Sequence, residues 1–92
     1  MEIYQLNLSN NVKSLKELFA IYTDNIFLGE SGIERWNAFY DLLYLRLMNN
    51  DINLVINHDR HFFLDQEDME YYKSVLKDME IEFPEKISFN FS

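Results

Sequence analysis

The sequence predicts an α/β fold: a two-layer domain with a three-stranded parallel sheet, strand order 1-2-3, and its helices packed on one face. Three observations predict it. Segments at 3–8, 51–57 and 86–91 alternate apolar and polar residues with the two-residue period of half-buried strands. Between them, apolar residues recur at helical spacing. The resulting order of strand, helix, helix, strand, helix, strand separates successive strands by long helical crossovers, which join parallel neighbours. Such crossovers are right-handed almost without exception, so strands laid down in one direction without reversal carry every helix on one side. The polar residues of the strands require that arrangement, because they need water on the other side.

The first strand, "IYQLNL", sets Tyr4, Leu6 and Leu8 against Gln5 and Asn7. "SLKE" (Ser14 to Glu17) matches a capping box, in which the serine hydroxyl and the glutamate satisfy free backbone donors at a helix start. Leu15, Leu18, Phe19 and Tyr22 then form the apolar stripe of the first helix. The next stretch, "GESGIERWNAFYDLL" (29 to 43), holds both glycines of the chain, Gly29 and Gly32. A second capping box, "SGIE" (Ser31 to Glu34), starts the second helix, whose stripe is Ile33, Trp36, Tyr40, Leu43 and Leu47; Trp36 is expected in the core. The second strand, "DINLVIN", turns Ile52, Leu54 and Ile56 away from Asn53, Val55 and Asn57. Asp65 with Asp68 is a weaker start signal for the third helix, striped by Met69, Tyr72, Leu76 and Met79. "FPE", with the single proline Pro84, ends it, and Ile87, Phe89 and Phe91 oppose Ser88 and Asn90 in the last strand.

At 92 residues the chain is expected to be one domain, 1–92, with no internal repeat or linker. It has no cysteine, which removes disulfides, thiolate metal sites and thiol nucleophiles and fits a reducing compartment. The start, "MEIYQLNLSNN", lacks the pattern of a signal peptide and no apolar run reaches membrane-spanning length, so the expected location is the cytoplasm, without membrane contact. The net charge of −8 disfavours direct binding of nucleic-acid phosphate and favours a basic protein as partner. An aromatic content of 16% also suits a protein interface, although small cores use large side chains too.

Glu34, Asn37, Asp41 and Tyr44 are spaced to form one stripe of the second helix, opposite much of its apolar face. With Asp24, Phe27 and Glu30 in the preceding loop they make an acidic and aromatic patch suited to a basic cleft. The plain structural reading is that Glu34 completes a cap and Asp41 is a solvated charge. Gly29 and Gly32 let the backbone turn and allow another surface to approach closely. "NHDRHFF" brings His58 and His61 near Asp59, with Glu67 and Asp68 further on, residue types that serve as metal ligands or general acids and bases. Their spacing is not a zinc signature, and no phosphate loop or nucleophile elbow is present, so neither enzymatic activity, metal nor cofactor is expected. "DQEDME" and "KDMEIEFPE" carry eight of the sixteen acids, mostly as a solvated face.

Taken together, these residues resemble the barstar-like family of ribonuclease inhibitors and toxin immunity proteins. The resemblance rests on Gly29-Glu30 standing seven residues before Trp36, and on "SLKELF", "LVINHDRHF", "SVL" (Ser74 to Leu76) and a last strand ending in serine. It implies a two-layer, three-stranded parallel α/β domain whose loop and second helix enter a ribonuclease active site, acids taking the place of substrate phosphates. By the spacing to Trp36, the family's two central aspartates fall on Ile33 and Asn37 and its loop aromatic on Phe27. Its late acid falls near Asp78 and Glu80, of which Glu80 is taken. The expected function is an immunity protein, of the kind used in interbacterial competition such as contact-dependent growth inhibition. It would be monomeric when free and form a 1:1 complex that occludes the basic active site of a nuclease toxin. The expected contact residues are Phe27, Gly29, Glu30, Glu34, Asn37, Asp41, Tyr44 and Glu80. The alternatives are a barstar-like module with a non-nuclease partner and a small hydrolase using His58 and His61.

Overall fold

A computed structural model of the protein describes residues 1–28 and 32–92. Its elements follow the expected order: β1 (Glu2–Leu8), α1 (Leu15–Ile26), α2 (Trp36–Asn49), β2 (Ile52–His58), α3 (Gln66–Glu82) and β3 (Ile87–Phe91). The three strands form one parallel sheet in the order β1-β2-β3, with Leu6 opposite Ile56 and Ile56 opposite Phe89. Leu6, Leu8, Ile52, Leu54, Ile56 and Ile87 are buried, whereas Gln5, Asn7, Ser88 and Asn90 on the alternate face are exposed. The helices therefore cover a single face.

The uncovered face is held by side chains suited to water. Asn7, Asn57 and Asn90 stand in register across all three strands. Asn57 Nδ2 donates to Asn7 Oδ1 at 3.1 Å, and Asn90 Nδ2 donates to Asn57 Oδ1 at 2.6 Å. Gln5 Nε2 also donates to Asn7 Oδ1, at 3.3 Å. The two asparagine pairs join opposite residues of neighbouring strands, the unit by which side chains stabilise a sheet.

The helix starts agree only in part with their signals. Ser14 caps α1, its Oγ accepting from Glu17 N at 3.2 Å. Asp65 is the N-cap of α3 but accepts no capping hydrogen bond through its side chain. The expected start of the second helix is corrected: α2 begins at Trp36 with Arg35 as N-cap, so Glu34 precedes the helix and caps nothing there. Ser31, the other half of that signal, lies outside the described residues. The reason is that Ile33, counted as the first residue of the helical stripe, is buried in the connection before α2. The buried positions of the helix are Phe39, Leu43 and Leu47, while Trp36 and Tyr40 are half-buried flanks of the stripe.

Phe19 stacks on Phe39 with centroids 4.9 Å apart, and the Tyr22 ring meets Phe39 edge-on at the same distance. Two cations close the helix ends beneath this aromatic layer. Arg46 Nε donates to the Ile26 carbonyl at the end of α1, at 2.7 Å, and Arg46 Nη2 donates to Tyr4 Oη at 3.2 Å. Lys86 Nζ donates to the carbonyls of Leu47 and Asn50 at the end of α2, at 2.7 and 2.9 Å. Both meet unsatisfied carbonyls at the negative end of a helix dipole. Arg46→Met keeps most of the stem and removes the donors. It is expected to cost about 2 kcal/mol in urea unfolding, the range of hydrogen bonds to charged groups. A loss below about 0.5 kcal/mol, the scale of an ordinary surface substitution, would show that the cap contributes nothing.

Candidate protein-binding surface

The parallel strands dictate the geometry of the α1–α2 connection. Phe19, early in α1, meets Trp36 at the start of α2 edge-on at 5.1 Å, while Arg46, late in α2, reaches the last residue of α1. The two helices thus run in the same direction, and the strap that joins them, described at residues 27–28 and 32–35, belongs to a connection that has to return along their length. A chain reaches up to roughly 3.3 Å per residue, against roughly 1.5 Å per residue of helix, so a connection of this length suffices. Leu28 and Ile33 anchor it in the core. Gly32 and Ile33 share a small cleft with Lys16, Ala20, Thr23 and Asp24 of α1, which places this strap against the helix flank.

Phe27 begins the strap in an unusual state. It is the only described non-glycine residue with positive φ (55°), and its ring is 64% exposed. Its backbone N–H donates to the Thr23 carbonyl, closing α1 as a left-handed C-cap, a position ordinarily given to glycine. The ring meets Tyr4 edge-on at 6.4 Å, and Tyr4 is itself held by Arg46, whose guanidinium lies 5.6 Å from the Tyr4 ring centre. A bulky aromatic is therefore kept outward on a strained backbone over a fixed support. Gly32, at φ 73°, uses the left-handed freedom for which glycine is suited, with open space where a Cβ would stand.

The structure brings some of the expected contact residues together and separates others. Asn37 and Asp41 lie exposed on the outer face of α2. Glu34 is exposed just before the helix, and Asp24, expected in the loop, is instead exposed in the last turn of α1. Gly29 and Glu30 lie outside the described residues. Tyr44 is half-buried in the seam with α3: it donates to Glu82 Oε1 at 3.2 Å and meets the Phe83 ring edge-on at 5.1 Å. Glu80 is half-buried and paired with Lys77 at 3.2 Å. Asp78, its neighbour, accepts from Tyr40 Oη at 3.4 Å. The hydrogen bond to Glu82 and that carboxylate's charge raise the Tyr44 pKa; burial and then Asp78 raise that of Tyr40. Together with Trp36 Nε1, which donates to Asp68 Oδ1 at 3.2 Å, three aromatic donors one turn apart on α2 each hold an acid of α3. The spacing of 36, 40 and 44 against 78 and 82 was the available signal, but it does not reveal which helices lie side by side.

His58, beyond the end expected for the second strand at Asn57, is instead the last residue of β2, where the strand's alternation turns it inward to 1% exposure. Its ring stacks on Phe91 at 4.1 Å. Nδ1 lies 2.7 Å from the Asn90 carbonyl, which only accepts, so Nδ1 carries the proton and donates. Nε2 then accepts from Tyr72 Oη at 2.5 Å, and Tyr72 accepts from Tyr22 Oη at 2.7 Å. Every group in this buried line is satisfied and the direction of each bond is fixed. Burial raises the pKa of both tyrosines. Neither ring nitrogen of His58 is free for a substrate or metal, while His61 is exposed and its backbone N–H donates to Asp59 Oδ1 at 2.8 Å. Among the described residues no group of three metal-ligating side chains converges, and no helix is long and apolar enough to cross a membrane.

No protein-family model matches the chain, and no curated protein matches it significantly. The parallel sheet and its three helices stand on the structure alone.

Burial lowers the His58 pKa below its ordinary 6.5, and nearby Lys73 acts in the same direction, while the bond to Asn90 acts against them. The unfolded chain therefore takes up a proton near pH 6.5 that the folded chain refuses. Stability is full above that pH and falls as pH drops below it. Urea midpoints should decline from pH 7 to pH 5.5, and His58→Asn should lower stability at pH 7 while flattening the decline. A wild-type slope retained in the variant would place the effect on another group.

Proposed function

We propose that this chain is a barstar-like immunity protein of the cytoplasm, which binds a nuclease toxin and occludes its basic active site. The observation that carries the proposal is Phe27: an exposed aromatic on a strained left-handed backbone, on the same helical layer that exposes Asp24, Glu34, Asn37 and Asp41. Natural helix ends seldom retain such a residue where glycine is easier, and strain of this kind gathers at functional sites. The overall charge supports a basic partner, and two of the eight basic residues, Arg46 and Lys86, are committed to capping helix ends. Inhibition by this surface needs no catalytic group: charge speeds encounter, and a buried aromatic anchor slows release. The expected complex is 1:1, the partner a ribonuclease in the first instance, with nucleic acid excluded by like charge.

A partner that is not a nuclease is favoured by one observation. Ile33, at the first position where the related family carries a central aspartate, is buried in the core, and Asn37 at the second is neutral. Phosphate mimicry would then fall to Glu34 and Asp41 or be absent.

Phe27→Gly separates folding from function. Relief of the left-handed strain should raise stability by about 1 kcal/mol, while loss of the anchor should weaken the complex by on the order of 2 kcal/mol, chiefly through faster dissociation. The toxin to use is the product of the adjacent reading frame. A more stable variant that protects cells as well as the wild type would remove Phe27 from the interface. Charge reversal of Glu34 and Asp41 together should slow association by about tenfold at low salt and flatten its salt dependence. Unchanged association would place the acidic contact elsewhere.

A further inference from the structure

The outer surface of α3 carries an aromatic and acidic depression. Glu67, Glu70, Tyr71 and Ser74 line a shallow hollow of about 350 Å³. Tyr71 is 52% exposed, and its ring lies nearly parallel to that of Trp36, 20° between planes with centroids 6.2 Å apart. Trp36 is a fixed base for it. Its indole is edge-packed on Phe19 and Phe39, tilted against Tyr72, and hydrogen-bonded through Nε1 to Asp68. Tyr71 thus presents its ring to solvent from an ordered support, between two carboxylates.

The neighbouring cations leave this hollow unneutralised. Lys73 projects from another face of α3, its Nζ 4.9 Å from the centre of the Phe91 ring. Lys77, one turn beyond Ser74, is bound to Glu80. The start of α3 contributes about half a positive charge, and Lys13 shares a cleft with Asp65 and Asp68, against the four carboxylates of Asp65, Glu67, Asp68 and Glu70. The balance remains negative. A planar cation that lies on an aromatic ring while its edge meets carboxylates is a guanidinium; an ammonium gains less from stacking and pairs at a point.

We propose that Tyr71, on its Trp36 base and flanked by Glu67 and Glu70, is a docking slot for an arginine side chain of a protein partner. This holds whether or not that partner is a nuclease toxin, and its test uses no toxin. The slot extends the binding surface from the strap and α2 onto α3.

The probe is Nα-acetyl-arginine methylamide, compared with its lysine and neutral citrulline counterparts at low salt. Binding is followed by NMR at the indole N–H of Trp36, the chain's one tryptophan, and at the backbone amides of residues 67–74. Arginine should shift these signals most, lysine less and citrulline not at all. Tyr71→Ala should weaken arginine binding about two- to five-fold, the worth of an exposed cation–aromatic contact, and Tyr71→Phe should restore it. Glu67→Gln with Glu70→Gln should weaken it further. Equal shifts with arginine and lysine that ignore Tyr71→Ala would be general attraction to an acidic surface and overturn the slot. Shifts with citrulline would overturn its cationic character. Because Tyr71 is largely outside the core, an unchanged spectrum elsewhere verifies that each variant is folded.

Discussion

The feature on which the rest of the molecule depends is the direction of its helices. With three parallel strands in sequential order and every helix on one face, α1 leaves the end of β1 and α2 must reach the beginning of β2. Both therefore run the same way, and the chain has to travel back along them before α2 can start. The strap, described at residues 27–28 and 32–35, is the result. It explains why Phe27 must turn sharply out of α1, why Leu28 and Ile33 sink into the core, and why Gly32 takes a positive φ. A hairpin of antiparallel helices would have needed only a short turn and would have offered no edge of this length.

The same arrangement fixes where polar groups are tolerated. One sheet face is open, and the Asn7–Asn57–Asn90 row lets water and neighbouring amides satisfy each other there. On the covered face the only buried polar or charged residue described is His58, joined to Tyr72 and Tyr22 by a line that ends on the Asn90 carbonyl. That line ties α1, α3, β2 and β3 together. Its worth lies less in added stability, since a typical hydrogen bond nets about 1 kcal/mol, than in specifying one packing, because shifting any member strands a buried donor or acceptor. The α2–α3 seam is laced in a similar way at the surface, by Trp36, Tyr40 and Tyr44 donating to Asp68, Asp78 and Glu82.

Much of this was legible in the sequence where a periodic pattern met a single environment. The three strands alternate cleanly because one face is covered and the other wet, and Ser14 works as its motif predicts. Reading failed where one signal served two structures. "SGIE" has the letters of a capping box, yet Ile33 belongs to the strap's anchor and the helix waits for Trp36. His58 follows the alternation of Ile52, Leu54 and Ile56, but its polarity argued for a loop; its partners Tyr22, Tyr72 and Asn90 are distant in sequence and no local pattern announces them. Of the expected contact residues, Phe27, Glu34, Asn37 and Asp41 are exposed as anticipated, whereas Tyr44 is drawn into the helix seam because Glu82 and Phe83 lie beside it.

Under the proposed function the open sheet face with its asparagine row meets only solvent, and recognition falls to the helical side, from the strap across α2. Hydrogen exchange of the chain, alone and in complex with the product of the adjacent reading frame, addresses this directly. The account predicts slowed exchange on binding along residues 24–28 and 32–45, with β1 and β3 unchanged. Protection confined to the strands, or no protection by that product at any concentration, would contradict it.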